Sequence, residues 1–186
     1  MHNNSLDVLS SASWLAEGKI LLHPTEGVCG IGCDALNEKS FLRVYELKKR
    51  PRNKSFIVLI KSLESVKKYI KNLDVQDINF INSVWPGPTT LLVEYNEKLP
   101  QHLKNDSGKI ALRVSNHYPI ISLLDNFDSL LISTSANISG ENNFNNIDDI
   151  IKIFNQKDVA HYNDKLGNNI KPTSIIDLTT KAIIRE

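Results

Sequence analysis

Apolar positions along the chain recur at helical spacing in several stretches, and short unbroken apolar runs lie between them. Val8, Leu9, Ala12, Leu15 and Ala16 mark one helix, with Gly18 placed to end it. Phe41, Leu42 and Tyr45 mark a second over 39–49, stopped by Pro51. The stretches 62–70 and 74–85 are amphipathic, and each opens on Ser or Asp, residues that can accept a hydrogen bond from the first helical turn. Further helices are expected near 119–126 and over 147–154, the latter capped by Asn146 or Asp148. Runs at 19–23, 56–60, 89–95, 109–114 and 129–134 read as strands, and 56–60 is apolar throughout, as a strand buried on both faces requires. The segments 174–178 and 182–186 read as a hairpin turning at Thr179, Thr180 and Lys181. This alternation predicts a single α/β domain over 1–186, with one large twisted mixed sheet flanked by helices.

Composition narrows the class. The 186 residues carry 22 Lys and Arg against 21 Asp and Glu, a net charge of +1, which argues against a surface built wholly as a polyanion clamp. At 41% hydrophobic the chain can build a core that buries roughly 70% of its unfolded surface. No apolar run approaches the roughly 20 residues a membrane helix needs. The N-terminal MHNNSLDVLSS has neither the basic start nor the apolar stretch of a secretory signal. Two cysteines make no disulfide framework, so a reducing, cytoplasmic setting is expected. Cys29 and Cys33, in what reads as a strand-to-loop turn, are expected to be buried small apolar residues.

Several familiar motifs are missing: no phosphate-loop G-x-x-x-x-G-K-[ST], no G-x-S-x-G, and a G-x-x-G-x-G at Gly27, Gly30 and Gly32 in the wrong order for dinucleotides. The five histidines are scattered and suggest no zinc site. Three polar clusters at strand ends remain. In LKKRPRNKS, Lys48, Lys49, Arg50, Arg52 and Lys54 crowd together; either they are cations at a helix C-terminus or they wait for an anion such as a polyphosphate. STSANISG follows an apolar strand and puts hydroxyls and an amide where open α/β sheets bind ligands, or where a turn caps itself. Arg113 interrupts the apolar run IALRV, and a buried guanidinium needs either an internal carboxylate or a ligand anion. WPGPTT reads as a fixed bend.

Together HPTEGVCGIGCD, LKKRPRNKSFIVLI, WPGPTTLLV, IALRV, STSANISG and KPTSIIDL resemble, in order and over nearly the whole chain, the YrdC-like threonylcarbamoyl-AMP synthases in their short single-domain form. The joint presence of K-x-R-P, W-P-G-P-x-T and S-T-S-A-N-x-S-G makes the resemblance specific. It implies a concave, positively charged cavity and a reaction in which L-threonine, bicarbonate and ATP give threonylcarbamoyl-adenylate and pyrophosphate. It also implies Mg2+ with the ATP, downstream threonylcarbamoyl-transferase proteins as partners, contact with tRNA or double-stranded RNA, and no membrane. By resemblance, Lys48, Arg50, Ser135 and Asn137 form the catalytic set, joined at ATP by Lys54, Asn143 and Arg185. Thr25, Arg113, Ser133 and Thr173 resemble the threonine-holding residues. His23, Gly27, Cys29 and Leu59 depart from the family pattern, which bears on amino-acid recognition. Two other readings fit parts of the pattern: a non-catalytic RNA-binding module using the same basic cavity, and carbamoyl-adenylate formation in metallocentre assembly, for which the chain is short.

Overall fold

The computed structural model describes residues 5–142, 144, 146–168 and 173–185. Among the described residues, ten strands form one sheet: β1 (Ser5–Leu6), β2 (Ile20–His23), β3 (Gly30–Asp34), β4 (Ile57–Leu59), β5 (Thr89–Glu94), β6 (Lys109–Arg113), β7 (Leu131–Ser135), β8 (Val159–Tyr162), β9 (Ser174–Asp177) and β10 (Ile183–Arg185). Their spatial order is β1-β8-β2-β3-β7-β4-β6-β5-β9-β10. Parallel pairs (β1 with β8, β8 with β2, β4 with β6, β5 with β9) interleave with antiparallel ones, so the sheet is mixed, as expected.

Five α-helices among the described residues flank it: α1 (Val8–Ala16), α2 (Glu38–Lys48), α3 (Val75–Val84), α4 (Tyr118–Asn126) and α5 (Ile147–Ile153). Their starts follow local chemistry, since Asp7, Asn37, Asp74 and Asn146 each accept a backbone N–H of the first turn. Helix α1 ends at Gly18, which takes φ +75° and donates its N–H to the Leu15 carbonyl. Alternation along the strands divides the core. One face, carrying Ile20, Leu22, Ile31, Val58, Leu112 and Ile132, packs with the apolar side of α2 and its aromatic residues Phe41 and Tyr45. The other, carrying Leu21, Leu59 and Leu131, packs under α1 and α4 through Leu15, Ile120, Leu123 and Leu124.

Two expectations change. The stretch 62–70 is no helix beyond a 3-10 turn at Leu63–Val66. Ile70 bridges Tyr95, Lys71 donates its N–H to Glu94, and Asn96 donates to the carbonyls of Lys68 and Ile70, so edge pairing with the end of β5 draws the chain out of the helix. The glycine-rich segment at Gly30–Asp34, expected as a turn, is a central strand with β2 on one side and β7 on the other. WPGPTT is a bend, containing a cis Trp85–Pro86 bond.

Candidate functional site

A cavity of about 630 Å³ opens on the sheet face that α1 and α4 leave partly uncovered. Its floor is set by register: Ser133 pairs with Gly32 and Ile57, Ser135 pairs with Gly30, and Ile57 pairs with Ala111. Strand β3 can contribute only bare backbone here. A Cβ on Gly32 would lie 1.9 Å from the Ile132 carbonyl oxygen, and one on Gly30 would lie 2.5 Å from the His23 ring. The wall is built from Thr25 and Glu26 after β2, Arg50 after α2, Arg113 on β6, and Thr173, Ile184 and Arg185 from the β9–β10 hairpin.

The expected catalytic set divides between a lock and a lining. Lys48, the last residue of α2, is only 1% exposed. Its Nζ donates to the Ser135 carbonyl at 2.5 Å, the Asn137 carbonyl at 2.7 Å and Asn137 Oδ1 at 3.3 Å. Its own carbonyl accepts the Ser139 N–H at 2.9 Å. Lys48 therefore stitches α2 to the STSAN loop from beneath. Burial, and then repulsion from Arg50, pulls its pKa down to about 8, so at neutral pH it is still mainly charged. Ser135 Oγ donates to Asn137 Oδ1 at 2.7 Å, and Asn137 Nδ2 donates to the Glu141 carbonyl at 2.6 Å, which fixes that loop.

Arg50 faces the cavity. Its Nε and one terminal nitrogen donate to the carbonyls of Lys54 (3.2 Å) and Ser55 (2.9 Å), and its guanidinium lies 5.1 Å from the Phe56 ring centroid. The basic run thus does not act as one cluster. Lys48 points inward, Arg50 faces the hollow, and Lys49, Arg52 and Lys54 are exposed. Lys54 contributes its backbone carbonyl to Arg50 and Tyr45, and it does not line the cavity.

Arg113 has the internal carboxylate that the first reading requires, and it also borders the cavity. One guanidinium nitrogen donates to Glu26 at 3.1 Å, while the residue, 4% exposed, also lines the cavity. Burial lowers its pKa and Glu26 opposes that shift; guanidinium stays charged regardless. Glu26 is held at its other oxygen by Ser115 Oγ at 2.5 Å. Thr25 Oγ donates to Val28 within its own turn at 2.6 Å. Arg185 donates twice to the Thr173 carbonyl, at 3.1 and 2.7 Å, and once to the Thr173 hydroxyl at 3.2 Å, joining both sides of the hairpin rim. Asn143 lies outside the described residues.

Residues that depart from the family pattern fall in different places. His23 is fully buried against Gly30 and Gly32; its Nδ1 meets the Pro24 carbonyl at 3.2 Å and its Nε2 has no partner. Burial drives its pKa down to about 4, so the ring is neutral. Leu59 is in register with Arg113 but lies under α1 and α4, away from the cavity lining. Cys29 and Cys33 are buried free thiols, and burial raises the Cys29 pKa to about 12.

Comparison with known proteins places this geometry. A family model described as "Telomere recombination" (Sua5, yciO, yrdC) matches residues 13–186. The chain belongs to the Sua5/YciO/YrdC family. A threonylcarbamoyl-AMP synthase of Aliivibrio fischeri is 32% identical over 92% of this chain and 94% of that protein. One from Buchnera aphidicola subsp. Schizaphis graminum is 36% identical over 92% and 90%. The structure of P. abyssi Sua5 complexed with L-threonine superposes with a TM-score of 0.83 at 27% identity; it covers 92% of this chain, which spans about half (51%) of that one. In this Sua5/YciO/YrdC chain the cavity unites Thr25, Arg50, Arg113, Ser133, Ser135, Thr173 and Arg185, seven of the eleven residues expected at the site, with Lys48 and Asn137 bonded directly behind them. Sequence reasoning missed Glu26. The signal was present in P-T-E, because a buried Arg113 demands a carboxylate and the turn after β2 supplies one.

Proposed function

We propose that this protein is a threonylcarbamoyl-AMP synthase, joining L-threonine, bicarbonate and ATP into threonylcarbamoyl-adenylate with release of pyrophosphate and water. The observation that supports this best is the single hollow in which guanidiniums and hydroxyls from five separate segments meet. Carbamate oxygen and α-phosphate are both anionic, so the protein's task is to offset their repulsion and align them. Arg50 and Arg185 supply charge to the phosphates. Ser135 and the backbone of its loop, held by Lys48, supply directed hydrogen bonds. Arg113 and Ser133 take the threonine end, and Thr173 borders it. ATP enters as its Mg2+ complex, the ion's ligands coming from phosphate oxygens and water. The adenylate then passes to transferase proteins that modify tRNA.

The test is pyrophosphate release from ATP by the full chain. Release should require both L-threonine and bicarbonate. L-Serine should be roughly 10- to 100-fold poorer in kcat/KM, because one lost methyl contact is worth about 1–3 kcal/mol. Release of equal pyrophosphate without threonine, or equal use of glycine, overturns the assignment.

A further inference from the structure

Within the threonine-binding reading of the cavity, on which this inference rests, we propose that Glu26 is the specificity-determining residue for the α-ammonium of the amino-acid substrate. Arg113 and Glu26 then form a fixed pair that reads the two charges of a zwitterion. Among the described residues lining the cavity Glu26 is the one carboxylate, set against Arg50, Arg113 and Arg185. Its position is rigid: Arg113 holds one oxygen at 3.1 Å and the Ser115 hydroxyl holds the other at 2.5 Å. Ser115 Oγ in turn accepts the His117 N–H at 3.0 Å, which ties the carboxylate to the start of α4.

Neither partner is exhausted by this pairing. A carboxylate offers about four lone-pair positions, and two are used. Arg113 keeps a buried Nε with no partner although the side chain is almost closed off. An isolated buried donor of this kind is costly, and a second carboxylate on Arg113 would satisfy it. The dimensions agree. With N–Cα and Cα–C bonds near 1.5 Å, the nitrogen and nearest carboxylate oxygen of an α-amino acid lie roughly 3 Å apart. The Glu26–Arg113 contact, 3.1 Å, spans the same separation with the charges reversed. A zwitterion laid alongside closes a four-charge ring, its carboxylate on Arg113 and its ammonium on Glu26. A hydroxy acid or simple carboxylate instead makes two carboxylates share Arg113 and brings no ammonium to face Glu26.

The decisive measurement is calorimetric titration of the full chain with L-threonine and with (R)-3-hydroxybutyrate, which keeps the carboxylate, hydroxyl and methyl but lacks the amine. Wild-type protein should bind threonine at least about tenfold tighter. Glu26→Gln, similar in size but uncharged, should weaken threonine about tenfold or more and leave 3-hydroxybutyrate unchanged or tighter. Equal weakening of both ligands would mean that Glu26 only holds Arg113 in place, and would overturn the proposal. So would wild-type protein that does not distinguish the two ligands, a comparison that needs no variant. If wild-type protein binds ATP but neither threonine nor its analogue, the threonine reading itself fails, and this result is distinct from threonine binding that ignores Glu26.

Discussion

His23 gives the sharpest thermodynamic prediction. Its imidazole is fully buried, one nitrogen meets the Pro24 carbonyl, and the other meets nothing. Burial is the main reason that its pKa falls from 6.5 to about 4; nearby Arg113 acts in the same direction, while the Pro24 contact and Glu26 act against it. Between those two values the unfolded chain binds a proton that the folded chain refuses. Stability from this group is therefore complete above pH 6.5 and is lost as the pH falls toward 4. The full gap is worth about 3 kcal/mol, of which about 2 kcal/mol is already gone at pH 5. Urea unfolding followed by fluorescence of Trp14 and Trp85 measures it at pH 7 and pH 5. His161, whose pKa burial also lowers, and the low-pKa carboxylates Asp158 and Asp177 titrate alike in wild-type protein and in His23 variants, so they cancel in the difference. Wild-type protein should lose about 2 kcal/mol more than His23→Phe or the smaller His23→Gln over this interval. An equal loss in wild type and both variants would refute the account of a neutral, unprotonatable ring.

Lys48 and Arg50 should behave differently despite their shared motif. Lys48→Met strips three acceptors of a buried cation and should cost about 3 kcal/mol in urea unfolding as well as most turnover. Arg50→Ala should change stability by less than about 1 kcal/mol while lowering turnover roughly 10²- to 10³-fold; retained pyrophosphate release would remove Arg50 from the phosphate site. Gly32→Ala drives a Cβ into the Ile132 carbonyl and should cost more than about 3 kcal/mol, whereas Gly108→Ala, strained at φ +69° but in open space, should cost about 1 kcal/mol. Thermal melts that rank the two glycine variants in the opposite order would contradict the close packing of β3 on β7.

What could be read from the sequence was whatever a local pattern determines. The spacing of Val8, Leu15 and Ala16 and the Asp7 cap specify α1 without reference to the rest of the molecule. The β9–β10 hairpin was legible because its turn is self-contained: Asp177 accepts the N–H groups of Thr179 and Thr180, and Lys181 takes φ +58°. Strand β3 was not, because two glycines in five residues carry no strand signal of their own. They are required by neighbours distant in the chain, the Ile132 carbonyl and the His23 ring. The basic run misled for a similar reason. Five cations close in sequence left open a helix end or one anion site, but either way they were read as a group, whereas the αL turn at Lys49 leaves Lys48 in the core and its neighbours elsewhere.

The location of the site follows from how far the helices reach across one face of the sheet. On β7 and β4, Leu131 and Leu59 lie beneath α1 and α4, and the next residues on the same face are Ser133 and Ile57, which meet the cavity. A hydroxyl or guanidinium placed under those helices would lose its water without a partner, at a cost of several kcal/mol. One residue pair further on, it can face a ligand. Arg113 stands on this boundary, in register with Leu59. Its position explains its double character. Covered by protein, it needs an internal counter-charge, which the turn after β2 delivers as Glu26; bordering the hollow, it retains donor capacity for an incoming carboxylate. On the proposed reading, this salt bridge and the ligand carboxylate share the guanidinium and do not compete for it. The salt bridge holds the guanidinium aimed at the cavity wall.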